Sequence, residues 1–449
     1  MPPAVSNMSR YAIVLAAGRG ERLWPLTSTR PKPLLPLPGG ETLLSRIMGQ
    51  LRRLVDGFVV VVGPGWAGDT VKRHLEEKGY SVIYAVQESP RGTGDAVRAA
   101  VEKLPRSVDE VLIVYGDLLV SGKLLEDVAA AGAPALAAKR HERPWDYGVV
   151  RVNGRGCLSG LVEKPADAKP GELVNTGVYL LPREILEESL EVLKPSPRGE
   201  LEFTDAVARI AGKACLRVVS GDWLWMDVGR PWDLFDAYRA VWEERFPGLR
   251  EPLVEGEVEP GATLKGPVYV ARGAVVRSYS YVEGPAWIEG EVGPFARIRP
   301  WSFLHPGSRA ATHTEVKASI LMRGARAPHL NYVGDSILGE GVNLGAGTVT
   351  ANLRFDHATV RMRLKGKLVD TGRNKLGAII GDYAQTGINV STLPGLRIGA
   401  YSWVYPGMTV AKDVPDCVLA RPKPGGGVEY VDIAERVGCP EHLRRSRRY

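Results

Sequence analysis

A chain of 449 residues, 44% hydrophobic and 24% charged, is long enough for two or three globular domains, each with a sizeable core. It has no apolar run of membrane-spanning length, and Met1 to Arg10 lacks the apolar core of a secretory signal, so the expectation is a disordered leader over 1–10 on a cytoplasmic protein that contacts no membrane. The net charge of +7 does not require nucleic acid, because polyanionic small substrates favour the same sign and the one dense basic run, Arg444 to Arg448, reads as a solvated tail. The first element is the apolar run Tyr11 to Ala17, a buried parallel strand, followed by glycines at 18 and 20. Apolar β-rich runs at Phe58–Val62, Val82–Val86, Val111–Tyr115, Ala135–Ala138 and Gly177–Leu181 then alternate with helical patterns such as Leu43–Leu54. That alternation predicts a mostly parallel sheet covered by helices on both faces, over residues 11–242.

After Trp242, and a linker over 243–258, the texture changes. Leu264, Val270, Val276, Val282 and Ile288 recur at every sixth residue among Gly and Pro. A second phase runs through Val292, Ile298, Leu304, Ala310 and Val316. A third takes in Leu338, Leu344 and Thr350 and resumes at Ile380, Thr386, Thr392, Ile398, Val404 and Val410. A six-residue period cannot stay on one face of a helix, but it suits short rungs wound round a triangular prism. The predicted fold is thus α/β, a Rossmann-like domain followed by a left-handed parallel β-helix of hexapeptide repeats over 259–425, with a tail over 426–449. The stretch Arg354 to Arg373 breaks the repeat as a polar excursion. Cys157, Cys215, Cys417 and Cys439 show no CxxC spacing, which argues against zinc and against a disulfide framework and leaves them as small buried apolar residues. Eight Asn and three Gln beside abundant Arg and Glu fit a thermophile.

The segment Leu15 to Leu35 carries the first chemistry. Backbone at Gly18 and Gly20 can approach a phosphate closely, Arg22 and Lys32 can offset charge on a leaving pyrophosphate, and Pro25, Pro31 and Pro33 stiffen the arm that bears Lys32. A dinucleotide fingerprint is disfavoured by Leu23 where a third small residue is needed, and a Walker loop by the missing Gly-Lys-Ser/Thr. Asp117, closing the strand Val111–Tyr115, and Asp227 in Trp-Met-Asp-Val-Gly-Arg-Pro are hard oxygen donors suited to Mg²⁺.

The pattern Leu-Ala-x-Gly-x-Gly-x-Arg-Leu-x-Pro-Leu-Thr, followed by Pro-Lys-Pro-Leu, strongly resembles the signature of sugar-1-phosphate nucleotidylyltransferases. The resemblance implies that Leu15, Ala17, Gly18, Gly20, Gln87, Gly92 and Thr93 bind the nucleotide. It places the sugar phosphate at Tyr147, Gly148, Glu163, Lys164 and Asn175. Glu21 departs from it, since Thr is common there.

The segments Arg323 to Asp335 and Asn343 to Asn352 closely resemble the acetyltransferase half of bifunctional glucosamine-1-phosphate acetyltransferase/N-acetylglucosamine-1-phosphate uridylyltransferases, in their archaeal branch. That likeness makes His329 the base, Glu315 an acid orienting it and the Ala346 amide an oxyanion donor. Arg299, Lys317, Tyr332, Asn343 and Asn352 become sugar-site residues, and Ile388 and Tyr405 lie along acetyl-CoA. Bacterial members have Asn-Tyr-Asp-Gly where this chain reads Asn352-Leu-Arg-Phe-Asp356, and Lys365 and Lys367 on the excursion either add phosphate contacts to the acetyl-transfer site or are solvated. The implied cofactor is Mg²⁺, with acetyl-CoA and UTP or dTTP as co-substrates, sugar phosphates as partners and a homotrimer as the assembly. The competing readings are a monofunctional glucose- or mannose-1-phosphate nucleotidylyltransferase with a structural prism, and a non-catalytic regulatory subunit.

Overall fold

The computed structural model describes residues 8–196 and 199–445. The first seven residues of the expected leader, and 446–449 of the basic tail, lie outside them; Arg10, placed in the leader by sequence, opens the first strand. The chain divides into two compact units. One takes residues through Arg19, Pro31–Leu34 and Thr42–Asp227; the other takes Gly20–Arg30, Leu35–Glu41 and everything from Val228.

The first unit is a nine-stranded sheet built on β1 (Arg10–Leu15), whose Ala12, Ile13 and Val14 are fully buried. With β2 (Gly57–Val62), β3 (Ile83–Val86) and β4 (Glu110–Tyr115) it forms a parallel block in the order β4-β1-β2-β3. The short β5 (Leu118–Val120) follows, then β6 (Ala135–His141), β7 (Gly148–Val152), β8 (Leu158–Glu163), β9 (Glu172–Pro182), β10 (Arg217–Ser220) and β11 (Trp225–Asp227). β9 lies antiparallel between β4 and β6, and β7 with β8 forms a hairpin against β9. The connecting helices are α1 (Leu43–Leu51), α2 (Trp66–Glu77), α3 (Thr93–Val101), α4 (Gly122–Ala131), α5 (Arg183–Glu191) and α6 (Phe203–Lys213). Helix α1 starts at Thr42 because Thr42 Oγ1 accepts from Ser45 N at 3.1 Å while Ser45 Oγ accepts from Thr42 N at 2.8 Å, a reciprocal cap. Alternate residues of the central strands point to opposite cores, Val60, Leu112 and Val114 to one and Val59, Val61 and Ile113 to the other.

The second unit is a parallel β-helix of two- and three-residue strands. Its first face stacks Tyr269, Trp287, Phe303, Ile320, Ile337 and Ile379 in register. Its second carries Glu291, Arg309, Arg326, Asn343, Gln385 and Trp403, and its third Arg297, Glu315, Tyr332, Val349 and Ser391. Every aliphatic position of the six-residue period from Val270 to Val410 is buried in one core, and Leu264 packs against it. The structure adds Leu321, Ala327 and Val333, a coil whose phase is shifted by a shortened turn. Helix α7 (Asp233–Arg245) covers the first face, with Tyr238 on Phe303 (centroids 5.1 Å apart) and Trp242 on Trp287 (6.2 Å). Burying such side chains contributes roughly 1.5–3 kcal/mol each. Beneath α7, His305 and Tyr238 are hydrogen-bonded at 2.6 Å, and the phenol donates on to Pro36 O. Burial, reinforced by Arg323 and Arg30, pulls the His305 pKa down to about 3.

The excursion is a β-hairpin, Arg361–Leu364 against Lys367–Asp370, closed at its neck by pairing of Leu353 with Lys375. The ladder passes it without loss of register, from Ile337 and Leu338 to Ile379 and Ile380.

The cysteines correct the sequence reading. Cys157 is disulfide-bonded to Cys215 and Cys417 to Cys439. Pairing across the fold, which sequence spacing does not express, sets the first: Cys157 bridges to Arg217, and Leu158 N donates to Leu216 O at 2.8 Å.

Candidate active sites

The first site lies at the carboxyl ends of β1 and β4, neighbours in the sheet with Leu15 opposite Tyr115, where open α/β sheets bind ligands. A Cβ added at Gly18 would meet nothing within 4 Å, so this backbone lies open to a ligand. Asp117 follows β4 directly. β11 runs antiparallel to β5 and sets Asp227 opposite Leu118, which carries the second carboxylate to the first. Both reach Lys32 Nζ, Asp117 Oδ2 at 2.8 Å and Asp227 Oδ1 at 2.8 Å. Burial alone lowers the pKa of Lys32, but the two carboxylates outweigh it and hold the net shift upward, so the ammonium stays charged. Each carboxylate keeps a solvent-facing side, 27% and 31% exposed. Among the described residues no cluster of three or more His, Cys, Asp or Glu gathers as a metal site. Two carboxylates beside incoming phosphate oxygens are nonetheless the donor set Mg²⁺ prefers, and the residues fit it.

The base and sugar segments assemble in the same unit. Gln87 Nε2 donates to Gly92 O at 2.9 Å and approaches Asp95 at 3.4 Å. Gly92 is held at φ +109°, and a Cβ there would meet Leu201 O at 2.5 Å, so only glycine fits. Thr93 Oγ1 accepts from Phe203 N at 3.1 Å. Glu163 stands opposite Gly148 in the β7–β8 ladder, and Lys164 N donates to Tyr147 O at 2.9 Å. A Cβ on Gly148 would touch Glu163 Oε2 at 3.0 Å and approach Asn175, which itself donates to Tyr179 Oη at 2.5 Å. The ring of Tyr147 is wedged between His141 and Trp225, at 4.8 and 5.2 Å. Arg22 is exposed on the 3₁₀ turn Glu21–Leu23, in the segment counted with the β-helix.

The second site is built by stacking coils. Gly347 N donates to His329 O, Asn389 N to Ala346 O and Gly407 N to Ile388 O, so His329, Ala346 and Ile388 form one column at the corner between the second and third faces, with Tyr405 in the next coil. Successive coils lie about 4.8 Å apart. On the third face Arg299 Nη1 pairs with Glu315 Oε1 at 3.0 Å, and Glu315, matched to an acid that orients His329, is engaged there. Asn331, 2% exposed, accepts from His329 N at 3.1 Å and donates to Gly345 O at 2.8 Å, which fixes the corner. Asn343 stands on the second face, apart from Arg299, Lys317, Tyr332 and Asn352.

Sequence reasoning missed Asp335 and Asp95. Asp335 Oδ2 takes Lys317 Nζ at 2.7 Å and Asn352 Nδ2 at 2.5 Å, so one carboxylate ties two sugar-site residues together; the in-register pairing of Lys317 with Gly334, which sequence does not express, brings it there. Asp95 gathers Arg91, Arg98 and Gln87 behind the base segment. Lys365 is 59% exposed, in keeping with the solvated alternative, and pairs with Glu21 of the signature at 2.7 Å, so the two departures from the family pattern meet each other.

The nucleotidyl transferase family profile matches residues 11–244, from the second residue of β1 to Glu244 in α7. A bifunctional sugar-1-phosphate nucleotidylyltransferase/acetyltransferase of Sulfurisphaera tokodaii is 38% identical over 90% of this chain and 98% of its own. A bifunctional protein GlmU of Methanocaldococcus jannaschii is 37% identical over 90% and 95%, and one of Heliobacterium modesticaldum 29% identical over 92% and 95%. The chain belongs to the bifunctional sugar-1-phosphate nucleotidylyltransferase/acetyltransferase family.

Proposed function

We propose that the chain carries out two consecutive steps: acetyl transfer from acetyl-CoA to glucosamine-1-phosphate, then uridylyl transfer from UTP to the N-acetylated sugar phosphate with release of pyrophosphate. The observation that carries this reading is that each unit holds its own polar cluster, the lysine–dicarboxylate group of the sheet and the His329 corner of the β-helix.

In the first step the His329 imidazole takes the ammonium proton of the sugar, and the Ala346 amide donates to the thioester oxyanion. Arg299 and Lys317 bind the sugar phosphate, with Tyr332 and Asn352 on its hydroxyls. In the second step Glu163 accepts from sugar hydroxyls, Lys164 binds the attacking phosphate and Asn175 orients it. Asp117 and Asp227 would hold Mg²⁺, which supplies charge neutralisation on the triphosphate when bound, while Lys32 and Arg22 offset charge on the leaving pyrophosphate. The split of Asn343 from the other sugar-site residues favours a homotrimer, in which the second face of one copy meets the third face of the next.

The test is a pair of assays on one preparation: CoA release on adding glucosamine-1-phosphate, and pyrophosphate release from UTP or dTTP with N-acetylglucosamine-1-phosphate. Pyrophosphate release without CoA release overturns the two-step reading and leaves a monofunctional transferase on an inert prism.

A further inference from the structure

The Gly20–Arg30 segment sits inside the signature, between Gly18-Arg19 and Pro31-Lys32, yet it belongs to the compact unit of the β-helix. Its own backbone turns, Leu23 N to Gly20 O at 2.8 Å and Leu26 N to Leu23 O at 2.9 Å, compact it and direct four side chains, Trp24, Ser28, Thr29 and Arg30, to the β-helix.

Two buried aspartates receive them. Asp416, 6% exposed, accepts Trp24 Nε1 on Oδ2 at 2.8 Å and Ser28 Oγ on Oδ1 at 3.1 Å. Asp382, 1% exposed, accepts the Thr29 hydroxyl and the Arg30 guanidinium on Oδ2. The two share one design. Asp382 Oδ1 also accepts from Glu340 N at 2.8 Å, and Asp416 Oδ1 from Ala400 N at 2.6 Å, so each carboxylate is locked to the neighbouring coil and has an oxygen left for the arm. Leu338, Ile380, Ile398 and Val414 are paired in successive coils, so Glu340, Asp382 and Asp416, each two residues further on, form an acidic column along one corner, interrupted only at Ala400. Glu340 adds a second carboxylate 3.2 Å from Arg30, and Arg397 lies 4.6 Å over the Trp24 ring.

Apolar packing alone would hold this segment without fixing its orientation, whereas several directional bonds from two rigid coils specify it. The segment carries Arg22, so the backbone of that residue cannot shift independently of it. Phosphoryl transfer depends mainly on positioning, and a 1 Å misplacement can cost about a hundredfold in rate. We propose that Asp382 and Asp416 are positioning residues for nucleotidyl transfer: the β-helix fixes the arm on which Arg22 rides. The proposal rests on the reading of Arg22 as a group that meets the leaving pyrophosphate.

The test uses the full chain with Asp416→Asn, which sets an amide donor against the indole N–H, and Trp24→Phe, which deletes that N–H and leaves the β-helix's own bonds in place. Expected are a loss of about tenfold or more in kcat for pyrophosphate release, an unchanged KM for the sugar phosphate, CoA release within about twofold of wild type, and no further loss in the double variant. Pyrophosphate release within about twofold of wild type in Trp24→Phe overturns the proposal, as does a parallel fall of both activities with melting temperature. If Asp416→Asn fails to fold, Trp24→Phe decides alone. A wild-type chain releasing no pyrophosphate from any nucleoside triphosphate overturns the functional reading, and this proposal with it; active wild type with unaffected variants overturns this proposal only.

Discussion

The two candidate sites are assembled by opposite means. In the sheet domain Lys32, Asp117 and Asp227 come from three elements far apart in the chain, and a parallel β1–β4 pairing plus one antiparallel β5–β11 pairing brings them together. In the β-helix the column of His329, Ala346 and Ile388 follows from stacking successive coils, so neighbours in space are separated by one coil in sequence, lengthened between Ala346 and Ile388 by the hairpin excursion. A convergent site depends on each of its few tertiary pairings, whereas a stacked site is as robust as the repeat beneath it.

The largest expected effect separates the two. Asp227→Ala should lower pyrophosphate release by at least about a thousandfold and leave CoA release intact, and His329→Ala should do the reverse, with effects of ~10²–10⁴ expected for a lost general base; coupled loss of both activities in folded protein would show the sites are not separate. Next comes the clamp at the end of the coil. Cys417→Ser with Cys439→Ser, opening a loop of sequence separation 22, should cost about 3 kcal/mol, read as a drop in melting temperature that reductant reproduces in the wild type.

The third prediction concerns pH and the core under α7. The unfolded chain binds a proton at His305 below about 6.5, but the native chain not until about 3, so acid favours unfolding. Lowering pH from about 7 to 5 should cost ~2 kcal/mol at this residue, and His305→Gln should flatten that part of the stability profile. The smallest effect is Asp335→Asn, which loosens Lys317 and Asn352 together. It should raise KM for glucosamine-1-phosphate by about tenfold with pyrophosphate release unchanged, which would sharpen the distinction between groups that react and groups that hold.

What the sequence made legible follows the same division. The six-residue period exposed the core of the β-helix from Val270 to Val410, because a repeat writes its geometry directly into spacing. The signature exposed Gly18, Arg22 and Lys32, strand-end position made Asp117 a candidate and the Trp-Met-Asp-Val-Gly-Arg-Pro segment Asp227, though only the fold places both on one ammonium. Asp335, Asp382 and Asp416 were invisible, since a lone Asp after an aliphatic rung reads as a turn residue until the coils are stacked. The disulfides were misread for a related reason: separations of 58 and 22 residues say nothing about which strands lie side by side. Two bridges in a chain expected to be cytoplasmic sit with the thermophile-like composition, since disulfides persist in intracellular proteins of hyperthermophiles.

The neck at Leu353 and Lys375 has an engineering consequence. Because the chain departs and returns at adjacent, paired residues while Leu338 and Ile380 stay in register, the winding of the coil does not depend on the hairpin, which is seated separately by its buried Val360 and Met362 and by Arg373 on Asp236 of α7. Joining the rims at Leu353 and Lys375 by a short turn should give a β-helix of unaltered pitch that lacks both the Lys365 contact to Glu21 and the Arg373 contact to Asp236.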